Sequence, residues 1–153
     1  MARLVQLSQP SVEWIEWDEA QLVELFARLD AWPEYTLPEG ELSIAFLGHD
    51  DMAAVHGQFL DDATPTDVIT FPGDPDMDFA GEICVGVQQA IEVAPEHDHD
   101  LAREVTLYLV HGWLHLAGLD DRKEADRAQM RLAETQALAY LDNTGGLAAV
   151  RLA

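Results

Sequence analysis

The chain reads as an α+β protein in which a small mixed β-sheet packs against helices. Three observations predict this. Strand-like stretches crowd the first two thirds while the last third is helical, an order that segregates the two element types. Apolar residues alternate with a period of two in the strand-like stretch Glu41 to Gly48 and follow a helix face in the last third. Apolar residues make up 48% of the 153 residues, enough for a real core. A chain of this length buries roughly 70% of its extended surface, so one domain over residues 1–153 is expected, with 146–153 as a loose tail.

The elements follow in order. "RLVQLS" is a weak first strand. Asp18 caps a helix that runs to about Leu29, with Leu22, Leu25, Phe26 and Leu29 as its apolar stripe. Pro33 and Pro38 break the chain. "ELSIAFLG" alternates Leu42, Ile44 and Phe46 inward as a strand. "HDDMAAVHGQFL" is a short helix capped by Asp50 or Asp51. A polar turn leads into "DVITFP", a strand closed by Pro72, and "GDPDMDFAG" is a long loop. "EICVGV" is a further strand, and a helix from Gln88 is stopped by Pro95. Asp98 or Asp100 caps the next helix, whose core stripe includes Val105, Leu109 and Leu116 and which ends near Gly118. A last helix from about Glu124 to Leu141 turns Met130, Leu138 and Leu141 inward.

Composition excludes several classes. The single cysteine, Cys84, rules out an internal disulfide and reads as a small buried hydrophobe. No stretch is apolar enough for a signal peptide or a membrane span, which makes the cytoplasm the expected compartment. The formal charge of −21 repels polyanions at long range, so a nucleic-acid partner requires a local exception. Arg122, Lys123, Arg127 and Arg131 are half of the eight basic residues. The last three recur every four residues and would line one helix face. Pairing with Glu124, Asp126 and Glu134 along a solvated helix is the plainer account of them.

The stretch that carries chemistry is "HGWLHLAGLDD", His111 to Asp121. His111 and His115 lie one helical turn apart and project from one face. Such a pair can deliver two imidazole nitrogens to one ion. Gly118 can take the left-handed conformation that ends a helix, and Asp121 three residues later can swing back as a third ligand. Asp120 is the rival for that place. Two nitrogens and one carboxylate oxygen leave a fourth position for water, as in a catalytic zinc site. Gly112 stands where a zinc peptidase carries its glutamate base, and its lack of a side chain leaves room for a bulky ligand near the helix.

These residues resemble those of the YbeY endoribonucleases, the bacterial rRNA maturation factors. "HGWLHLAG" is similar to their H-G-x-L-H-L-x-G helix, "TPTDVITFP" to their T-D-V-L-S-F strand, and "GEICVGV" to their G-D-I-x-I-S strand. The three blocks keep their order and spacing over roughly Leu42 to Met130. The resemblance implies a metzincin-like domain with its zinc-binding helix in the C-terminal third. It implies one zinc ion and cleavage of single-stranded RNA in ribosomal RNA maturation, with ribosomal RNA or the small ribosomal subunit as partner. It carries two zinc ligands onto His111 and His115. The family's third histidine falls on Asp121, a departure that adds negative charge to the ion's surroundings and weakens it as a Lewis acid. A second departure is Leu60, where many members carry an arginine suited to clamp phosphate.

Candidate substrate contacts are His56, Thr66, Asp67, Arg122, Arg127 and Arg131. No side chain is assigned as general base. A metal-bound water is the expected nucleophile, with Asp120 as the candidate carboxylate beside it. His97 and His99 in "EHDHD" read as solvated caps before a helix. Two other functions share these features: a metal-stabilised ribosome-assembly factor without catalysis, and a zinc endopeptidase.

Overall fold

A computed structural model describes residues 3–8, 15–60, 67–146 and 150–152. The strands are β1 (Val5–Leu7), β2 (Ile15–Trp17), β3 (Glu41–Leu47), β4 (Val68–Asp74), β5 (Phe79–Gly86) and β6 (Val150–Leu152). The helices are α1 (Glu19–Ala31), α2 (His49–Leu60), α3 (Val87–Val93), α4 (Leu101–Leu116) and α5 (Glu124–Thr144). Four strands form a mixed sheet in the order β1-β3-β5-β4. β3 is parallel to β1 and β5, while β4 and β5 form an antiparallel hairpin. The α+β architecture expected from the sequence is the one observed.

Side-chain alternation sorts β3 onto two faces. Leu42, Ile44 and Phe46 are fully buried on one, packed with Leu22, Leu25, Phe26 and Leu29 of α1 and with Val105, Leu109 and Trp113 of α4. Met130, Ala133, Ala137 and Leu141 of α5 complete that core. Truncating one of its leucines to alanine costs about 2–5 kcal/mol by the usual sum of transfer and cavity terms. On the opposite face Met52 of α2 covers Ile69 and Cys84, with Ala45 and Leu47 packed around them. Helices thus sandwich the sheet unequally, and α4 lies across the β4–β5 hairpin.

Caps agree with the sequence at two helices. Asp18 accepts from the Gln21 N–H at 3.1 Å and Asp100 from the Arg103 N–H at 2.8 Å. α2 differs, because it starts at His49 and takes Asp50 and Asp51 into its first turn, where carboxylates favour the helix dipole. The His49 N–H is satisfied instead by the Gln88 side chain at 3.0 Å. β4 continues past Pro72 to Asp74, which an edge strand tolerates because its missing N–H breaks no inner ladder. The supposed long loop "GDPDMDFAG" is mostly ordered as the end of β4, a 3-10 turn over Pro75–Met77 and the start of β5. Leu116, expected in the core, is only partly buried. Residues 150–152 are also not a loose tail, since β6 pairs antiparallel with β2. β2 itself, three residues long, has too short a pattern to be read from sequence. Among the described residues no helix is long and apolar enough to cross a membrane.

Cys84 is buried in the central strand, as expected. Burial pushes its thiol up to about 12, helped by the charge of Glu82 and by a contact to that carboxylate at 3.8 Å. At pH 8 only about one thiol in ten thousand is then the reactive thiolate. Alkylation followed by mass spectrometry is expected to run about a thousandfold slower on the folded chain than in denaturant. Equal rates would contradict this placement.

Candidate metal centre

α4 brings His111 and His115 side by side with their rings edge-on, centroids 4.6 Å apart. Their Nε2 atoms are 3.1 Å apart, and Asp121 Oδ2 lies 3.4 Å from each. An ion bound tetrahedrally at about 2.0–2.1 Å needs ligand atoms roughly 3.3 Å apart, so this triangle fits one.

The turn that returns Asp121 to the helix is built as the sequence suggests. Leu119 N–H reaches Leu114 O and Gly118 N–H reaches His115 O, both at 3.0 Å, the paired bonds of a Schellman motif. Gly118 has φ +109°, which an L side chain rarely adopts. Arg127 ties the loop down, donating to the Arg122 carbonyl at 2.8 Å and facing the Asp121 carbonyl at 3.5 Å.

Hydrogen bonds on the far side of each ring fix the chemistry. The His115 Nδ1–H donates to the Leu119 carbonyl at 3.0 Å, because a carbonyl only accepts. Similarly the His111 Nδ1–H donates to Glu134 at 2.9 Å. In the neutral rings both Nε2 atoms therefore carry lone pairs, and these converge with a carboxylate oxygen. Three lone pairs turned on one point repel unless a cation stands between them, and the donor set is that of a zinc-type site. Burial works against charging His111. Even so, the Glu134 hydrogen bond and the carboxylates of Glu134, Asp67 and Asp121 hold its pKa above the ordinary histidine value. The same field favours any cation. Side-chain exposures of 23%, 23% and 40% for His111, His115 and Asp121 leave the cluster open on one side.

Glu134 is the site residue that sequence reading missed. It was grouped with the basic stripe, whereas it lies 23 residues from His111 and reaches it across the α4–α5 packing. Its signal was a carboxylate on the half-buried side of α5. Replacing Glu134 with alanine frees the His111 tautomer and is expected to weaken metal affinity about 10–100-fold with little loss of helix content. Titration against a chromophoric chelator measures it, and an unchanged affinity would assign Glu134 a packing role alone.

The other candidates are dispersed. Asp67 is exposed, with its carboxylate accepting its neighbour's N–H at 2.8 Å, yet its charge acts on His111. Asp120 is turned to its own loop, accepting from the Asp121 N–H at 2.8 Å and facing Arg122 at 3.6 Å. Arg122 and Arg131 are exposed, and His56 is half-buried on α2. Thr66 lies outside the described residues, as does the Leu60 side chain. The pairing expected for Glu134 with the stripe gives way to the His111 contact. Gly112 corrects a second expectation. A Cβ there would meet Ile83 Cγ2 at 2.6 Å and Thr70 and Val68 at 3.2 Å, so the glycine admits the sheet rather than a ligand. His97 and His99 are not simple solvated caps either, since both bond the buried carboxylate of Glu104.

The family model described as Endoribonuclease YbeY matches residues 10–142. Endoribonuclease YbeY of Protochlamydia amoebophila is 43% identical over 105 residues, covering 66% of this chain and 70% of that protein. The Oceanobacillus iheyensis protein of the same name is 32% identical over 125 residues, covering 74% and 81%. A solution structure from Thermotoga maritima superposes with a TM-score of 0.63 at 22% identity, covering 92% of this chain and 90% of that one, which supports the fold. By the extent of these matches, the chain belongs to the YbeY endoribonuclease family.

Proposed function

We propose that this chain is a zinc-dependent endoribonuclease that cleaves single-stranded RNA during ribosomal RNA maturation in the cytoplasm. The observation that carries the reading is the convergence of His111 Nε2, His115 Nε2 and Asp121 Oδ2 at 3.1–3.4 Å with both tautomers fixed. Family membership supports the reaction class. When bound at those atoms, a zinc ion supplies Lewis acidity and an acidified water. The chain's own residues do the rest. Glu134 and the Leu119 carbonyl hold the two rings with Nε2 inward, which removes the reorganisation that a loose ligand would need. Asp121 balances the ion's charge and so tempers its acidity relative to a third neutral imidazole. Arg122 and Arg131, exposed beside and beyond the Asp121 loop, offer cations to an RNA backbone that the −21 total otherwise repels.

One observation favours the assembly-factor reading: the same strong negative charge and the tempered ion suit a binding role better than rapid turnover. No comparable observation favours a peptidase, because position 112 faces the sheet. The deciding experiment incubates the purified chain with single-stranded RNA and, separately, with unstructured protein, each with and without a chelator. Chelator-sensitive RNA cleavage alone is the expected result. Intact RNA in the presence of added zinc would leave the assembly role, and proteolysis would overturn both.

A further inference from the structure

A second cluster of ligating side chains sits at the opposite end of α4. Glu104, in its first turn, is wholly buried, yet its carboxylate faces two imidazoles. His97 Nδ1 lies 3.0 Å from each of its oxygens, and His99 Nδ1 lies 2.8 Å from one. Tyr108, one helical turn along, acts electrostatically on the same carboxylate. A left-handed residue, Asp98 at φ 57°, turns the chain between the two histidines. The His99 N–H is anchored to Ala94 O at 2.9 Å, so the segment is held rather than draped. Donor atoms of the three residues lie within 4.8 Å of one another.

We propose that His97, His99 and Glu104 form a second metal site, taking a divalent transition metal of the zinc class and distinct from the His111 cluster. Two imidazoles and one carboxylate are a borderline donor set, which favours zinc, cobalt, nickel or copper over magnesium and calcium. Without metal, each Nδ1–H donates to Glu104. A metal replaces those hydrogens when each neutral ring moves its proton from Nδ1 to Nε2, a tautomer change that releases no net proton. The donors then part from 2.8–3.0 Å to the roughly 3.3 Å of a tetrahedral site. His97 can supply that movement, because it lies on a surface 3-10 turn with 47% of its side chain exposed. That exposure also gives the ion a way in. Glu96, Asp98 and Asp100 flank the cluster in sequence and add to a field that concentrates cations.

The site would clamp the segment before α4 onto the helix that carries the other cluster. Positions 104, 108, 111 and 115 recur at helical spacing along one face, so the two centres would lie about 13 Å apart along the axis. This inference does not rest on the nuclease reading.

Equilibrium dialysis of the full chain against zinc, followed by metal analysis, tests it. About two ions per chain are expected, falling to one in H111A/H115A, one in H97Q/H99Q and none in the fourfold variant. Glutamine keeps an N–H for Glu104 but ligates poorly, which separates a metal site from a hydrogen-bonded clip. As a second measurement, zinc should raise the melting temperature of H111A/H115A, and H97Q/H99Q added to it should abolish that rise. No zinc uptake by H111A/H115A would overturn the proposal. So would no thermal shift in that variant, or a remaining ion that survives H97Q/H99Q.

Discussion

Alanine at His111 is expected to empty the first centre and to lower RNA cleavage about a thousandfold or more. The substitution removes one of three inward donors and leaves two, too few to hold a zinc-type ion against solvent. It also strands the Glu134 carboxylate, which is 16% exposed and has the imidazole N–H as its partner at 2.9 Å. Some loss of stability should therefore accompany the loss of metal. Separating the two effects needs the conservative partner experiment, Asp121→His. That change restores a neutral ligand on the same Schellman turn and should keep the metal while raising the cleavage rate, since a less electron-rich ligand set makes a stronger Lewis acid. Metal analysis, circular dichroism and single-turnover cleavage together make the comparison. Full metal occupancy in H111A would sink the ligand assignment. Unimpaired cleavage in a metal-free H111A chain would sink the mechanism while leaving the ligands intact.

The convergence of His111, His115 and Asp121 was legible in the sequence because each member sits at a local spacing. Helical periodicity relates His111 to His115, and a glycine stop relates both to Asp121. Long helices were legible for the same reason. What stayed hidden depends on packing between distant segments. Glu134 acts through the α4–α5 contact, and nothing within a helical turn of it points to His111. His97 and His99 looked like polar loop residues because the burial of Glu104 emerges only when α4 docks. β2 and β6 are three residues each and pair across most of the chain, beyond the reach of any window. The turn into β5 was misread for a related reason: glycines, prolines and aspartates signal a loop, yet the β4–β5 ladder runs through them. Local chemistry was thus readable, whereas the partners that orient it were not.

Gly112 links the fold to the chemistry most tightly, and its substitution should have the second large effect. Gly112→Ala places a methyl 2.6 Å from Ile83 Cγ2 and 3.2 Å from Thr70 and Val68, so either α4 or the β4–β5 hairpin must shift. Overpacking of that kind costs about 1–3 kcal/mol, visible as a lower urea midpoint at unchanged slope. The shift also matters for function, because Val68 follows Asp67 directly, and the charge of Asp67 acts on His111. Metal affinity should fall together with stability. Gly112→Glu, which writes the zinc-peptidase motif into the helix, drives a carboxylate into the same apolar contact. An unpaired charge there adds to the steric cost, so an insoluble or unfolded chain is expected rather than a protease. A G112E chain of wild-type stability that hydrolyses protein would mean that position 112 faces the ion and not the sheet. The absence of a peptidase base would then be an accident of sequence, instead of a consequence of how closely this helix lies on its strands.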